Sequence, residues 1–179
     1  MLQKIVAVIV TLLVVFVVLV AVQPAEFRIA RSTTIAAPPA VVFAQVNDLH
    51  AFQEWSPYAK KDPTMTQSFE GPSAGPGAMY RWSGNAEIGA GSMTITETRP
   101  NELVRLELAF LKPFRATNVV DFTFEPKGNE TAVTWSMVGT NNLTGKAIHL
   151  FMDMDAMVGG DFEKGLADLK VLAERRAAR

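Results

Sequence analysis

The chain of 179 residues contains no cysteine, which excludes disulfides, thiol nucleophiles and every cysteine-liganded metal site at once. Histidine is almost as scarce. His50 and His149 stand alone, outside any H-x-x-x-H pattern and away from clustered carboxylates, whereas zinc needs three or four ligands. No metal and no cofactor are therefore expected. His50 reads as a surface residue between short helices, and His149 as a loop or helix-start residue. The elbow G-x-S-x-G is missing, as are the phosphate-cradling patterns G-x-x-x-x-G-K-[ST] and G-x-G-x-x-G. The two glycine-rich stretches, "GPSAGPG" and "GNAEIGAG", read as strand-connecting turns. An excess of one charge sign is lacking too: 17 Lys and Arg balance 18 Asp and Glu, and no basic run exceeds two residues. Nucleic acid is accordingly not an expected partner.

What the sequence does have in excess is one long apolar run. Ile5 to Val22 is eighteen residues in which Thr11 is the only polar side chain. As a helix it would span about 27 Å, close to a bilayer's hydrocarbon thickness. It has no polar face, which rules against a core helix, so residues 1–24 read as a transmembrane anchor. A cleaved signal is the alternative, but the run exceeds the usual apolar region of a signal peptide, and "AVQPAEF" offers no small-x-small cleavage pair. Lys4 and the α-amino group on one side nearly balance Arg28 and Arg31, offset by Glu26, on the other. The short lysine-bearing leader favours a globular domain on the exported side, periplasmic or extracellular.

The remainder, residues 27–177, reads as one domain. "FRIARSTTI" alternates as a first strand. Pro38-Pro39 then open a helix that Asn47-Asp48 stop, and a short second helix runs from Asp48 through Phe52. Extended runs follow at 64–70, 78–84, 91–99, 102–111, 115–125 and 131–139, separated by Gly, Pro and Asn turn residues. Val104, Leu106, Leu108 and Phe110 share one face, as do Val120, Phe122 and Phe124, and Val133, Trp135 and Met137. Polar residues alternate with them, as expected of an antiparallel sheet covered on one side. The last segment is a helix carrying Phe151, Met154, Val158, Phe162, Leu166, Leu169 and Leu172 on one stripe, interrupted by Gly159-Gly160.

The stretches "TTIAAPPAVVFAQVNDLHAFQEWSPYAK", "MTITETRPNELVRLEL" and "MVGGDFEKGLADLK" resemble the START-like superfamily, in particular its bacterial polyketide cyclase/dehydrase-type (SRPBCC) members. The resemblance implies an α+β helix-grip fold: a curved antiparallel sheet of about seven strands wrapped around a long C-terminal helix, here preceded by one transmembrane helix. It also implies an apolar cavity between sheet and helix. It supplies no shared catalytic residue.

The residues that would line such a cavity are apolar and aromatic. Trp55, Tyr58, Tyr80, Trp82 and Trp135 carry polar ends on apolar bodies. Leu106, Leu108, Phe110, Phe122 and Phe162 add bulk, and Met137, Met154 and Met157 adapt to irregular contents. Each is also a good core residue, and the functional reading rests on the set. No catalytic residue is assigned; Tyr80 and Glu97 are the candidates should protons be moved, Glu97 because it shares strand parity with Met93 and Ile95, although a strand-end carboxylate in water is the favoured reading of it. The expected function is a membrane-anchored protein holding a hydrophobic or lipid-like small molecule, with a cyclase/dehydratase-type enzyme and a protein-protein interaction module as alternatives.

Overall fold

A computed structural model describes residues 1–179. The apolar run forms α1 (Leu2–Ala21). Its Thr11 hydroxyl donates to the Ala7 carbonyl at 2.9 Å, so the one polar side chain inside the run is satisfied within the helix. Only Val20 of this helix is buried. Four residues, 22–25, join it to β1 (Glu26–Ile35).

The next helix, α2 (Pro39–Asn47), begins on a proline at its first position, where a missing N–H costs nothing. Asp48 caps α3 (Leu49–Trp55), accepting from the His50 and Ala51 amides at 2.8 and 3.3 Å. A single 3-10 turn at Tyr58–Lys60 leads into β2 (Thr66–Glu70), β3 (Met79–Ser83), β4 (Ala90–Arg99), β5 (Leu103–Lys112), β6 (Ala116–Lys127) and β7 (Glu130–Thr140). All seven strands form one antiparallel sheet in the order β1-β7-β6-β5-β4-β3-β2. The turns follow the residues that permit them: Asn101 and Gly128, at the β4–β5 and β6–β7 reversals, both have positive φ.

The C-terminal segment departs from the expected single helix. Asn142 accepts from the Gly145 amide at 2.9 Å and starts α4 (Leu143–Phe151); Asp153 accepts from the Ala156 amide at 2.9 Å and starts α5 (Met154–Ala177). The extended backbone at Met152 separates them. Phe151, which spacing assigns to the long helix's buried stripe, ends α4 instead and is 76% exposed.

Gly159, Phe162, Leu166, Leu169 and Ala173 are the buried stripe of α5 and lie on the concave face of the sheet. At Gly165 a Cβ would sit 2.7 Å from Trp135 Cζ3, so the missing side chain lets the helix seat on that indole. Gly159 does the same over the guanidinium of Arg31, which in turn pairs with Asp155 at 2.9 Å and Glu163 at 2.8 Å. Gly160 faces open space.

Candidate functional site

Strand register sorts the concave face into rows. One row holds Val104, Phe122, Trp135 and Arg31, and the next holds Ile95, Leu106, Val120, Met137 and Ile29. Beyond them come Phe69, Tyr80, Met93, Leu108, Asn118, Gly139 and Phe27, and at the rim Trp82, Gly91 and Phe110. Burial falls along this sequence. Phe122 and Leu106 are fully buried, whereas Leu108, Phe110 and Trp82 are half-buried.

The inner rows, where the expected cavity between sheet and C-terminal helix would lie, are instead filled by a packed aromatic stack. Trp135 lies on Phe162 with centroids 4.1 Å apart and 10° between planes, and Trp55 meets Trp135 and Phe122 edge-on at 5.7 and 5.9 Å. Trp55 donates its indole N–H to the Gln45 carbonyl at 3.0 Å, while the Trp135 indole nitrogen is buried without a hydrogen-bond partner. Four of the sequence-selected residues, Trp55, Phe122, Trp135 and Phe162, thus hold α3 and α5 to the sheet.

The outer rows are differently covered. Along the sheet α5 packs chiefly on β1. The β3–β5 side is bordered instead by loops that cover it in part: Tyr80 Oη donates to Met65 Sδ at 3.8 Å, and Trp82 Nε1 to the Ile88 carbonyl at 3.3 Å. Asp62 clasps these two loops together, accepting from the Thr64 hydroxyl at 2.7 Å and from the Asn85 amide at 2.8 Å. Those hydrogen bonds hold its carboxyl below the usual carboxylate range, the Thr64 hydroxyl contributing most. A Cβ at Gly91 would lie 2.6 Å from Trp82 Cη2, so this glycine lets the indole lie flat on the sheet.

Two polar groups face this region. Asn118, buried on β6, finds only Met137 Sδ, at 3.6 Å. Burial pushes the Tyr80 phenol up to about 12, so it is a hydrogen-bond donor at neutral pH rather than a base. Tyr58 is also raised, by burial first and the charge of Asp161 second, with Lys61 Nζ 5.5 Å from its ring centre. Asn118 was absent from the sequence-level lining set, although it continues the inward parity of Val120, Phe122 and Phe124.

The remaining candidates sit elsewhere. A bulge between Ile95 and Glu97 inserts Thr96 and turns Glu97 to the outer face, where its carboxylate meets Arg105 at 3.2 Å and Arg99 at 3.6 Å. The solvated strand-end reading of Glu97 therefore holds over the parity reading, which the bulge breaks. Met157 is 48% exposed on α5, and Met154 lines an open depression of about 440 Å³ at the α4–α5 elbow, with His149, Phe151 and Met152. A second depression, about 260 Å³, lies between Leu49, His50, Phe69 and the β2–β3 loop.

A curved antiparallel sheet gripping a long C-terminal helix, with an apolar concave face that the helix covers on one side, defines a START-like helix-grip domain. Within that class the chain belongs to the SRPBCC-type family described as polyketide cyclase / dehydrase and lipid transport, which residues 26–174 match. Solved structures are similar in fold. Protein CV1439 from Chromobacterium violaceum is 16% identical with a TM-score of 0.59, over 85% of this chain and 99% of that one. The Aha1 dimer from Colwellia psychrerythraea is 18% identical with a TM-score of 0.60, over 83% and 96%. Ara h 8.0201 is 12% identical with a TM-score of 0.54, over 86% and 98%. No curated protein matches the chain in sequence.

Proposed function

We propose that this protein is a membrane-anchored binding protein that holds a hydrophobic, lipid-like small molecule against the outer rows of the concave sheet. The observation that carries this reading is the half-buried group Trp82, Leu108 and Phe110 on the side of the grip that α5 leaves to loops. Such a surface has little reason to stay apolar unless something apolar covers it. Asn118 and the Tyr80 hydroxyl supply the few polar contacts that orient a ligand. The family's lipid-transport members support the ligand class. In this reading α1 stays in the bilayer and the domain lies on the exported side, and no catalytic step is assigned. Glu97 faces away from the concave surface, and Tyr80 keeps its proton.

The test is mass spectrometry of organic extracts from the purified full-length chain. A hydrophobic compound should co-purify, and Leu108→Trp, which fills the outer rows, should lose it while keeping the wild-type circular dichroism spectrum. Equal recovery from both proteins, or no compound from either, refutes the proposal.

A further inference from the structure

We infer that α4 is a second membrane-contacting element, which runs beside α1 through the headgroup and upper acyl level of the leaflet from which α1 emerges; this rests on the reading of α1 as a membrane anchor. Two contacts fix how α4 lies. Lys146 Nζ donates to the Ala21 carbonyl at 3.2 Å, and Phe151 stacks on Phe16 with ring centres 6.2 Å apart. Both intervals, Lys146 to Phe151 and Phe16 to Ala21, are five residues, or about 7.5 Å of helix. Hence α4 runs antiparallel beside the last turns of α1, Lys146 at the exit end and Phe151 toward the membrane interior. Phe16 lies six residues before Val22, where the apolar run ends, about 9 Å back along the helix. A ring stacked on Phe16 shares its depth.

The surface of α4 fits that position. None of its residues is buried, and Leu143, Phe151 and Met152 are 66%, 76% and 47% exposed. On its protein side His149 packs its ring 5.6 Å from Phe27. Lys146, at the exit end of α1, stands where lipid phosphates would be, while the apolar residues at the other end of α4 reach toward the acyl chains. Asp153 and Asp155 follow Met152 closely and limit the depth, because their carboxylates must stay among headgroups or water.

The sheet end beside α4 carries the same chemistry. Phe27, Gly139, Asn118 and Leu108 are in register, so the start of β1 and the β5–β6 turn project from the same end of the sheet. That turn exposes Leu111 at 52% and Phe114 at 60%, flanked by Lys112 and Arg115. Apolar tips ringed by basic residues match a lipid surface better than a protein partner.

The cysteine-free chain allows a clean test with full-length protein in phosphatidylcholine/phosphatidylglycerol vesicles. Single variants Val14→Cys, Met152→Cys and Asn129→Cys carry an environment-sensitive fluorophore, and quenching is read with lipids bearing a nitroxide either high or deep on the acyl chain. The Val14 position should lose most of its emission to the deep quencher. The Met152 position should lose emission to both, with a larger share to the shallow quencher than at Val14, and Asn129, in the β6–β7 turn at the other end of the sheet, should lose none. Quenching at Val14 with Met152 as bright as Asn129 overturns the inference and leaves the anchor standing. No quenching at Val14 overturns both. A Met152 label shielded from lipid and aqueous quenchers alike, in a chain that sediments as an oligomer, means protein covers α4 and also overturns it.

Discussion

The two adjacent glycines of α5 should respond oppositely to the same substitution. An interior glycine costs a helix about 1 kcal/mol relative to alanine, so with no other effect each alanine is stabilising by that amount. At Gly160 nothing lies within 4 Å of the new methyl, and the whole gain should appear. At Gly159 the methyl would collide with the Arg31 guanidinium, which can move aside only by giving up its present pairing with Asp155 and Glu163. Forcing an extra methyl into a packed site costs about 1–3 kcal/mol, so Gly159→Ala should net between about zero and 2 kcal/mol of destabilisation. For a chain of this size 1 kcal/mol moves the melting temperature by roughly 2–4 °C. Thermal unfolding followed by circular dichroism, in one detergent for all variants, should therefore show Gly160→Ala above wild type and Gly159→Ala at or below it. Adding Arg31→Ala should convert Gly159→Ala into a stabilising change relative to Arg31→Ala alone. Equal stabilisation by both alanines in the wild-type background would refute the reasoning, because it would mean the guanidinium does not occupy the space over Gly159.

Other consequences follow from the packed stack, the loop clasp and the phenol. Phe162→Ala should cost about 3–5 kcal/mol in urea unfolding, whereas Trp135→Phe should cost much less, since it also removes a buried donor that has no acceptor. Asp62 has a depressed pKa, so the stability it contributes is present above the ordinary carboxylate value of about 4 and is lost as pH falls through its lower folded value. Asp62→Asn should flatten the acid limb of the pH–stability curve, and an unchanged limb would sink that assignment. The Tyr80 phenol stays protonated to about 12, so binding of a fluorescent apolar probe should be flat through the ordinary tyrosine value near 10; a step there would show that Tyr80 titrates normally.

Most of the scaffold was legible because each signal was local. Alternation through Val104–Phe110 and Val120–Phe124, with Gly, Pro and Asn between runs, placed six strands to within a few residues, and Pro39 and Asp48 marked two helix starts. The elbow between α4 and α5 was harder, because Phe151 and Met154 keep helical spacing across a break. Only the capping side chains of Asn142 and Asp153 betray it. For Glu97 parity and strand-end position point to opposite faces, and the residue inserted at Thr96 decides for the solvated one, because a single insertion reverses every side chain beyond it. The lining set raised the further difficulty that one composition serves two purposes. Trp55 and Trp82 look alike in sequence, yet one is fully buried against Phe122 and Trp135 and the other lies at the rim.

The four residues between Ala21 and Glu26 have a consequence for what such a protein can do with a cargo. Fully stretched, they reach about 14 Å. With α1 in a bilayer, the domain works on a leash too short to ferry anything to a second membrane. In the function proposed above, its traffic would be confined to its own leaflet and to whatever partner comes to that surface, as a fixed station rather than a shuttle.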